Sequence, residues 1–316
     1  MRIMKKFREK WLFLGFKMAS VFLILMFSAG CVMGNQIEAK NNKSLPVKSN
    51  PLSVTPRIEQ LRPNLSKNIV VYFNPHADDE VLTFGVPIRN DLRANKEVYV
   101  VLISPGEDSI ARDVVNGRFD DESFHPEKKG QPQWCKMHKR FHVPSLEGYK
   151  PLTKKAFGRE RIHEFFRSSI SLGVPKNHLF YYTFPNGKFR YPEIKMMMKD
   201  WVSLFPNATY KTMSKKDIHV DHAILGRVMG DLYHEHQMKN AIHYVSVATR
   251  NSKKVKFKKH TLITLKNRQD RHKIRKAIHV YERWNPAKHS FALGFHSVPE
   301  QFHSLENKMN VIETAE

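Results

Sequence analysis

Short, almost unbroken apolar runs recur along this chain at one strand per helix, and few folds accept that pattern. "NIVVYF" (68–73), "EVYVVLIS" (97–104), "HLFYYTF" (178–184), "ATYKTM" (208–213) and "AIHYVSVA" (241–248) are rich in the Val, Ile, Tyr and Phe that favour strands. Between them, residues 80–94, 153–172, 191–205 and 220–237 have helical spacing and length, and 264–283 suggests a final helix. A strand apolar on both faces must be covered on both, so the pattern predicts a mostly parallel sheet between two helical layers. The expected fold is therefore α/β, three-layered and Rossmann-like, with the chain beyond the last helix irregular and folded over the core.

Before residue 68 the character changes. Residues 31–67 are rich in Asn, Lys, Ser and Pro with little periodicity, which predicts a flexible tether ahead of one domain spanning 68–316. Arg2, Lys5, Lys6, Arg8 and Lys10 precede the uncharged stretch "MASVFLILMFSAGC", the layout of a secretory signal over residues 1–30. Ser28-Ala29-Gly30-Cys31 resembles a bacterial lipobox, with Cys31 as the lipidated first residue of the mature chain. The competing reading is an uncleaved transmembrane anchor, residues 11–33, interrupted by Lys17. Either one places the domain outside the cytoplasmic membrane and ties it to that membrane.

Apart from Cys31 the chain has only Cys135, so no disulfide framework can hold the fold; a single thiol far from other motifs reads as a semi-buried passenger. The formal charge is +23, and residues 1–30 hold six basic and one acidic residue, which leaves about +18 on the rest. "SKKVKFKK" (252–259) and "KNRQDRHKIRK" (266–276) carry much of it, as a solvated face or as a surface for anionic cell-surface polymers. No nucleic-acid-binding motif accompanies the charge, so nucleic acid is not an expected partner.

The chemistry is expected where the first strand ends. "NPHADDE" (74–80) sets His76, Asp78, Asp79 and Glu80 directly behind "NIVVYF", and acids so crowded need a positive charge among them. In open parallel sheets ligands bind beyond the carboxyl ends of strands, near the point where strand order reverses. No G-x-G-x-x-G follows, which removes the phosphate-cradling loop of a dinucleotide site. His76 and Asp79, three apart on a turn, can grip one metal ion. Catalytic zinc sites use three protein ligands and a water, so a third must come from elsewhere. "DIHVDHAILG" (217–226) offers His219 and His222 at the start of a helix that follows a strand, on the same rim.

Together these motifs resemble the N-acetylglucosaminylphosphatidylinositol de-N-acetylase, or LmbE-like, family of zinc-dependent amidohydrolases. Its His-Pro-Asp-Asp-Glu corresponds to His76-Ala77-Asp78-Asp79-Glu80, and its late His-x-Asp-His to His219-Val220-Asp221-His222. The Gly-Glu pair in "SPGE" (104–107) and the ending "ALGFHSV" (292–298) extend the likeness over about 68–300. Ala77 departs from the usual proline, which loosens the turn but removes no ligand. The resemblance implies that His76, Asp79 and His222 hold Zn2+ or another divalent metal, and that Asp78 is the general base. It also implies that His219, if protonated, stabilises charge on the substrate, and that an arginine beyond the Gly-Glu pair holds it. Arg112 and Arg118 are candidates for that arginine, and Arg112 is preferred. Glu80 and Asp221 are expected to orient the ligands or cap helices, and His296 either reaches the site or ties down a loop. The implied activity is hydrolysis of the acetamide of an N-acetylated amino sugar or glycoconjugate. The alternatives are a metallohydrolase of another amide or an ester, and a non-catalytic carbohydrate-binding lipoprotein.

Overall fold

The computed structural model describes Leu61, residues 68–252 and residues 254–316. The expected signal, Cys31 and all of the tether except Leu61 lie outside the described residues. In the first half, the elements are β1 (Ile69–His76), α1 (Asp79–Leu82), α2 (Gly85–Arg93), β2 (Glu97–Ser104), α3 (Ile110–Asn116), β3 (Trp134–Cys135), β4 (Arg140–Phe141), α4 (Lys154–Leu172) and β5 (Leu179–Tyr181). Next come α5 (Tyr191–Leu204), β6 (Thr209–Met213), α6 (Val220–His234), β7 (Asn240–Val245), α7 (Val247–Ser252), β8 (His260–Thr264) and α8 (Arg271–Glu282). The chain ends with β9 (Trp284–Asn285), β10 (Ser290–Phe291), α9 (Leu293–Ser297), α10 (Pro299–Asn307) and β11 (Asn310–Thr314).

Seven strands form the central sheet in the order β5-β2-β1-β6-β7-β11-β8. β5, β2, β1, β6 and β7 are parallel, and only β11 runs against its neighbours. Along β1, Val70 and Tyr72 join one core with residues of α2, α4 and α8, while Val71 and Phe73 join a second core with α5 and α6. That alternation is the strand period of two acting on a strand with no solvent face, and it produces the three layers expected. Fully burying side chains such as Phe73, Trp201 and Phe165 contributes about 1.5–3 kcal/mol each.

Three local differences from the sequence expectation have physical causes. The helix expected over 80–94 is two helices, because Pro87 carries no N–H and so fits only the first turn of a new one. The strand expected over 241–248 is β7 and stops at Val245, where Ser246 accepts the Thr249 N–H through Oγ and starts α7. The C-terminal chain is ordered rather than irregular, and β11 inserts between β7 and β8. Of the two basic clusters, the second lies on α8, which buries Ile274, Ala277, Ile278 and Tyr281 and leaves Arg271, Arg275 and Lys276 exposed. Among the described residues no helix is long and apolar enough to cross a membrane.

The chain leaves β1 on one side for β2 and β5 and returns on the other as β6 and β7, so strand order reverses between β1 and β6. Register sets His76, the last residue of β1, opposite Ser104, the last of β2. The segments "HADDE", "SPGE" and "DIHVDH" therefore open onto the same carboxyl edge.

Candidate active site

β1 ends in a turn that its own acids hold. Asp78 has φ 118°, a left-handed conformation that is costly for any residue but glycine, and it caps α1 through its backbone alone. Its N–H donates to Glu80 Oε2 at 3.0 Å, and the Tyr281 hydroxyl donates to Glu80 Oε1 at 2.8 Å. Burial pushes the Glu80 carboxyl up to about 8. Ala77, in place of the expected proline, does not leave the turn loose, because Arg161 of α4 donates to Ala77 O and, at 2.6 Å, to Pro105 O.

The turn brings His76 and Asp79 together, and α6 supplies the third partner. His76 Nδ1 lies 3.2 Å from His222 Nε2 and 3.6 Å from Asp79 Oδ2, and Asp79 Oδ2 lies 3.2 Å from His222 Nε2. Three ligands about 2.0–2.1 Å from a tetrahedral zinc stand about 3.3 Å apart, so this triangle fits one ion. Each imidazole is oriented by a carboxylate at its other nitrogen, as metal-binding histidines are. His76 Nε2 is 3.0 Å from Asp221 Oδ2, and His222 Nδ1 is 3.2 Å from Asp217 Oδ1. Asp221 is fixed by the Gly187 and Phe189 N–H groups, and Asp217 by those of His219 and Ser246.

Electrostatics agree with the geometry. Burial disfavours charge on Asp79, but His222 and His76 beside it hold its carboxyl well below the usual range. Burial likewise opposes a proton on His222, yet Asp79 and Asp217 push that ring well above its ordinary value. The acids thus draw positive charge to the two nitrogens, which a divalent cation can supply in place of protons.

Asp78 stands next to the triangle and outside it. Burial pushes its carboxyl up to about 6, against the pull of Arg161, whose Nη2 donates to Asp78 Oδ2 at 3.0 Å. His219 caps α6, its Nδ1 accepting the Asp221 N–H at 3.3 Å, which leaves the ring proton on Nε2. Its ring is 4.8 Å from that of His76 and 4.7 Å from that of His222. Burial, followed by repulsion from His222 and His76, pushes His219 down to about 4. The protonated His219 of the sequence reading is thus replaced by a neutral donor.

These side chains open into a cavity of about 560 Å3 whose other walls include Phe124, Asn186, Lys188 and Gln301. His76, Asp78, Asp79, His219 and His222 all line it. Arg112 does not. It is buried, donates to both Asp120 oxygens at 2.8 and 2.6 Å and to Leu152 O at 2.9 Å, and so ties α3 to the segments around it. Arg118 is exposed and also outside the cavity. Arg161 is the arginine in the wall, and sequence reasoning missed it because nothing near it in α4 marks it. Asp217 was also missed, although an acid two residues before His219 in a post-strand loop is a readable signal. His296 does not reach this cavity either; it packs against Cys135, His138 and His142.

A sequence profile of the PIG-L family, described as GlcNAc-PI de-N-acetylase, matches residues 71–233. Among curated proteins none matches this chain. Two of the solved structures that share the fold are deacetylases. One is a deacetylase of the A40926 pseudoaglycone, 13% identical over 78% of this chain and 96% of its own, with a TM-score of 0.50. The other is a triple mutant of a deacetylase from the teicoplanin biosynthetic pathway, 12% identical over 78% and 97% of the two chains, also at 0.50.

Proposed function

Since this chain belongs to the PIG-L family of de-N-acetylases, we propose that it is a metal-dependent hydrolase that removes the acetyl group from an N-acetylated amino sugar or glycoconjugate. The observation that carries this reading is the His76–Asp79–His222 triangle, of zinc-binding size, with the uncoordinated Asp78 carboxylate at its edge. The cavity sets polar side chains beside apolar surface that includes the exposed Phe124, which suits a sugar, whose faces are apolar and whose rim is hydroxylated.

Zinc bound by His76, Asp79 and His222 would supply a water acidified toward about pH 7 and would polarise the acetamide carbonyl. Asp78 is placed to take a proton from the attacking water and to pass it to the departing amine. Its carboxyl, near 6, is suited to both roles at neutral pH. Arg161 holds Oδ2 of Asp78, leaving Oδ1 to exchange the proton. The Nε2–H of His219 donates to the oxygen on which negative charge develops, a contribution typically worth about 10²–10³ in rate. Zinc is preferred over iron, cobalt or manganese on the nitrogen and oxygen ligand set.

We also propose, on the sequence of residues 1–31, that Cys31 is lipidated and holds the enzyme on the outer side of a bacterial membrane, with the basic surface facing anionic polymers or headgroups. Replacing Cys31 with Ser is expected to release the protein from the membrane fraction; retention would favour an uncleaved anchor.

The enzymatic reading is tested with the full-length protein in detergent. Chelation is expected to abolish amine release from N-acetylated sugars, zinc to restore it, and Asp79→Ala to prevent the restoration. Full activity of a metal-stripped Asp79→Ala protein would overturn the proposal. Turnover of simple esters but not acetamides would point to an esterase, and tight sugar binding without turnover to a binding protein.

A further inference from the structure

A second group of metal-binding side chains lies outside the catalytic cavity. Cys135 ends β3, His138 follows on the turn to β4, His142 comes just after β4, and His296 arrives from α9, over 150 residues away in sequence. Each offers one ligand atom, and these atoms all lie within 4.8 Å of one another. His138 Nδ1 is 3.5 Å from Cys135 Sγ, 3.1 Å from His142 Nε2 and 3.4 Å from His296 Nε2. Tetrahedral zinc with N at about 2.0–2.1 Å and S at about 2.3 Å places ligand nitrogens about 3.3 Å apart and sulfur about 3.6 Å from nitrogen. The three spacings around His138 follow both values.

Hydrogen bonding among the four does not explain this convergence. His296 Nδ1 faces the Phe291 carbonyl at 2.9 Å, and a carbonyl only accepts, so the ring proton is on Nδ1 and Nε2 presents a lone pair. His142 Nδ1 faces the Glu147 carboxylate at 3.0 Å, which again puts the proton on Nδ1 and a lone pair on Nε2. Two imidazole lone pairs and a sulfur therefore converge on His138 Nδ1, which has at most one proton to share among them. A cation satisfies all of them at once. Sulfur is prepared for it as well, since the His138 backbone N–H donates to Cys135 Sγ at 3.2 Å.

The surroundings are built rather than incidental. Cys135, His142 and His296 are buried, and Trp284 walls the group, its ring 4.3, 5.0 and 5.5 Å from those of His142, His138 and His296. Gly117, at φ 72°, lets the His142 backbone pass so close that any Cβ there would sit 1.8 Å from its carbonyl oxygen. The Glu147 and Phe291 partners orient two of the rings, as outer partners of metal-bound histidines do.

We infer that Cys135, His138, His142 and His296 form a second, four-ligand metal centre that takes zinc, or another divalent metal accepting one thiolate and three imidazoles, in a structural role. With four protein ligands it has no open position for a substrate. Binding displaces the Cys135 thiol proton and fixes the remaining proton of His138 on Nε2. The centre ties the segment between α3 and α4 to α9. Phe124 of that segment and Ser297 of α9 both line the catalytic cavity, so the metal holds two of its walls in register. This corrects the reading of Cys135 as a passenger and gives His296 a role outside the catalytic triangle.

The test uses full-length protein in detergent, stripped by chelation and titrated with Co2+. A sulfur-to-cobalt charge-transfer band is expected, complete by two equivalents because the catalytic triangle takes up cobalt as well, absent from Cys135→Ser and retained in His76→Ala. The catalytic triangle contains no sulfur, so the band reports this centre whatever the enzyme's activity. Alkylation of Cys135, read by peptide mass mapping of the unaltered protein, is expected to slow at least tenfold when Zn2+ is added. Absence of the band, its persistence in Cys135→Ser, or equal alkylation with and without metal would overturn the inference.

Discussion

Arg161 joins the turn bearing Asp78 to "SPGE" and opposes the effect of burial on the Asp78 carboxyl. Asp78 acts as a base only when ionised, so the reaction should fail as pH falls through its pKa. Taking away the guanidinium removes a charge that favours ionisation. In Arg161→Met the acid limb of kcat/KM is therefore expected to move up by about 1–3 pH units. An unmoved limb in a folded, metal-loaded variant would show that Arg161 does not act on Asp78. The residues that sequence could identify are those whose chemistry is declared by close neighbours: His76, Asp78 and Asp79 within one turn, His219 and His222 within another. Arg161 lines the cavity where Arg112 was expected, and Arg112 is buried and ion-paired, because only the tertiary fold decides which arginine faces the cavity.

α6 places His219 and His222 on the rim because it packs unusually close to the end of β6. At Gly226 a Cβ would meet Lys215 N at 2.3 Å, Met213 O at 2.5 Å and Ser214 C at 2.6 Å, all of them backbone atoms unable to step aside. Gly226→Ala is therefore expected to cost about 1–3 kcal/mol in denaturant unfolding and to weaken metal binding by moving both histidines. At Gly230, one turn on in the same helix, an added Cβ would meet nothing within 4 Å, so Gly230→Ala should stabilise by about 0.5–1 kcal/mol. Equal effects at the two positions would argue against close packing as the cause. At this scale the long periodic elements were readable, since β1, β2, α4, α5 and α6 fall where apolar spacing puts them. The α1–α2 break depends on one proline, and β11 is five residues whose place in the sheet is set by partners distant in sequence.

The molecule as a whole keeps acids buried beside its functional edge. Burial pushes Glu164 of α4 up to about 8, while its Oε1 accepts the Leu293 N–H at 3.1 Å and joins α4 to α9. In the unfolded chain the same carboxyl ionises near 4.5. Between those values the folded state keeps a proton that the unfolded state releases, so stability from Glu164 is full below about 4.5 and is lost as pH rises through about 8. Urea midpoints are expected to fall over that window, and Glu164→Gln to make the fall shallower; an unchanged slope would mean that Glu164 is already ionised in the folded protein. The three-layer architecture and the edge that carries the site were legible because a parallel sheet leaves a strong apolar signature and a fixed functional edge. The cysteine–histidine cluster was not, since its fourth member meets the other three only after the C-terminal chain has packed back.

Anomalous diffraction at the zinc absorption edge, from crystals of the protein grown with Zn2+, bears on the heart of the mechanism. A peak is expected about 2.0–2.2 Å from His76 Nδ1, Asp79 Oδ2 and His222 Nε2 together, with the Asp78 carboxylate nearby but not bound. No peak among those three atoms, or a His222 ring turned away from the other two, would contradict it.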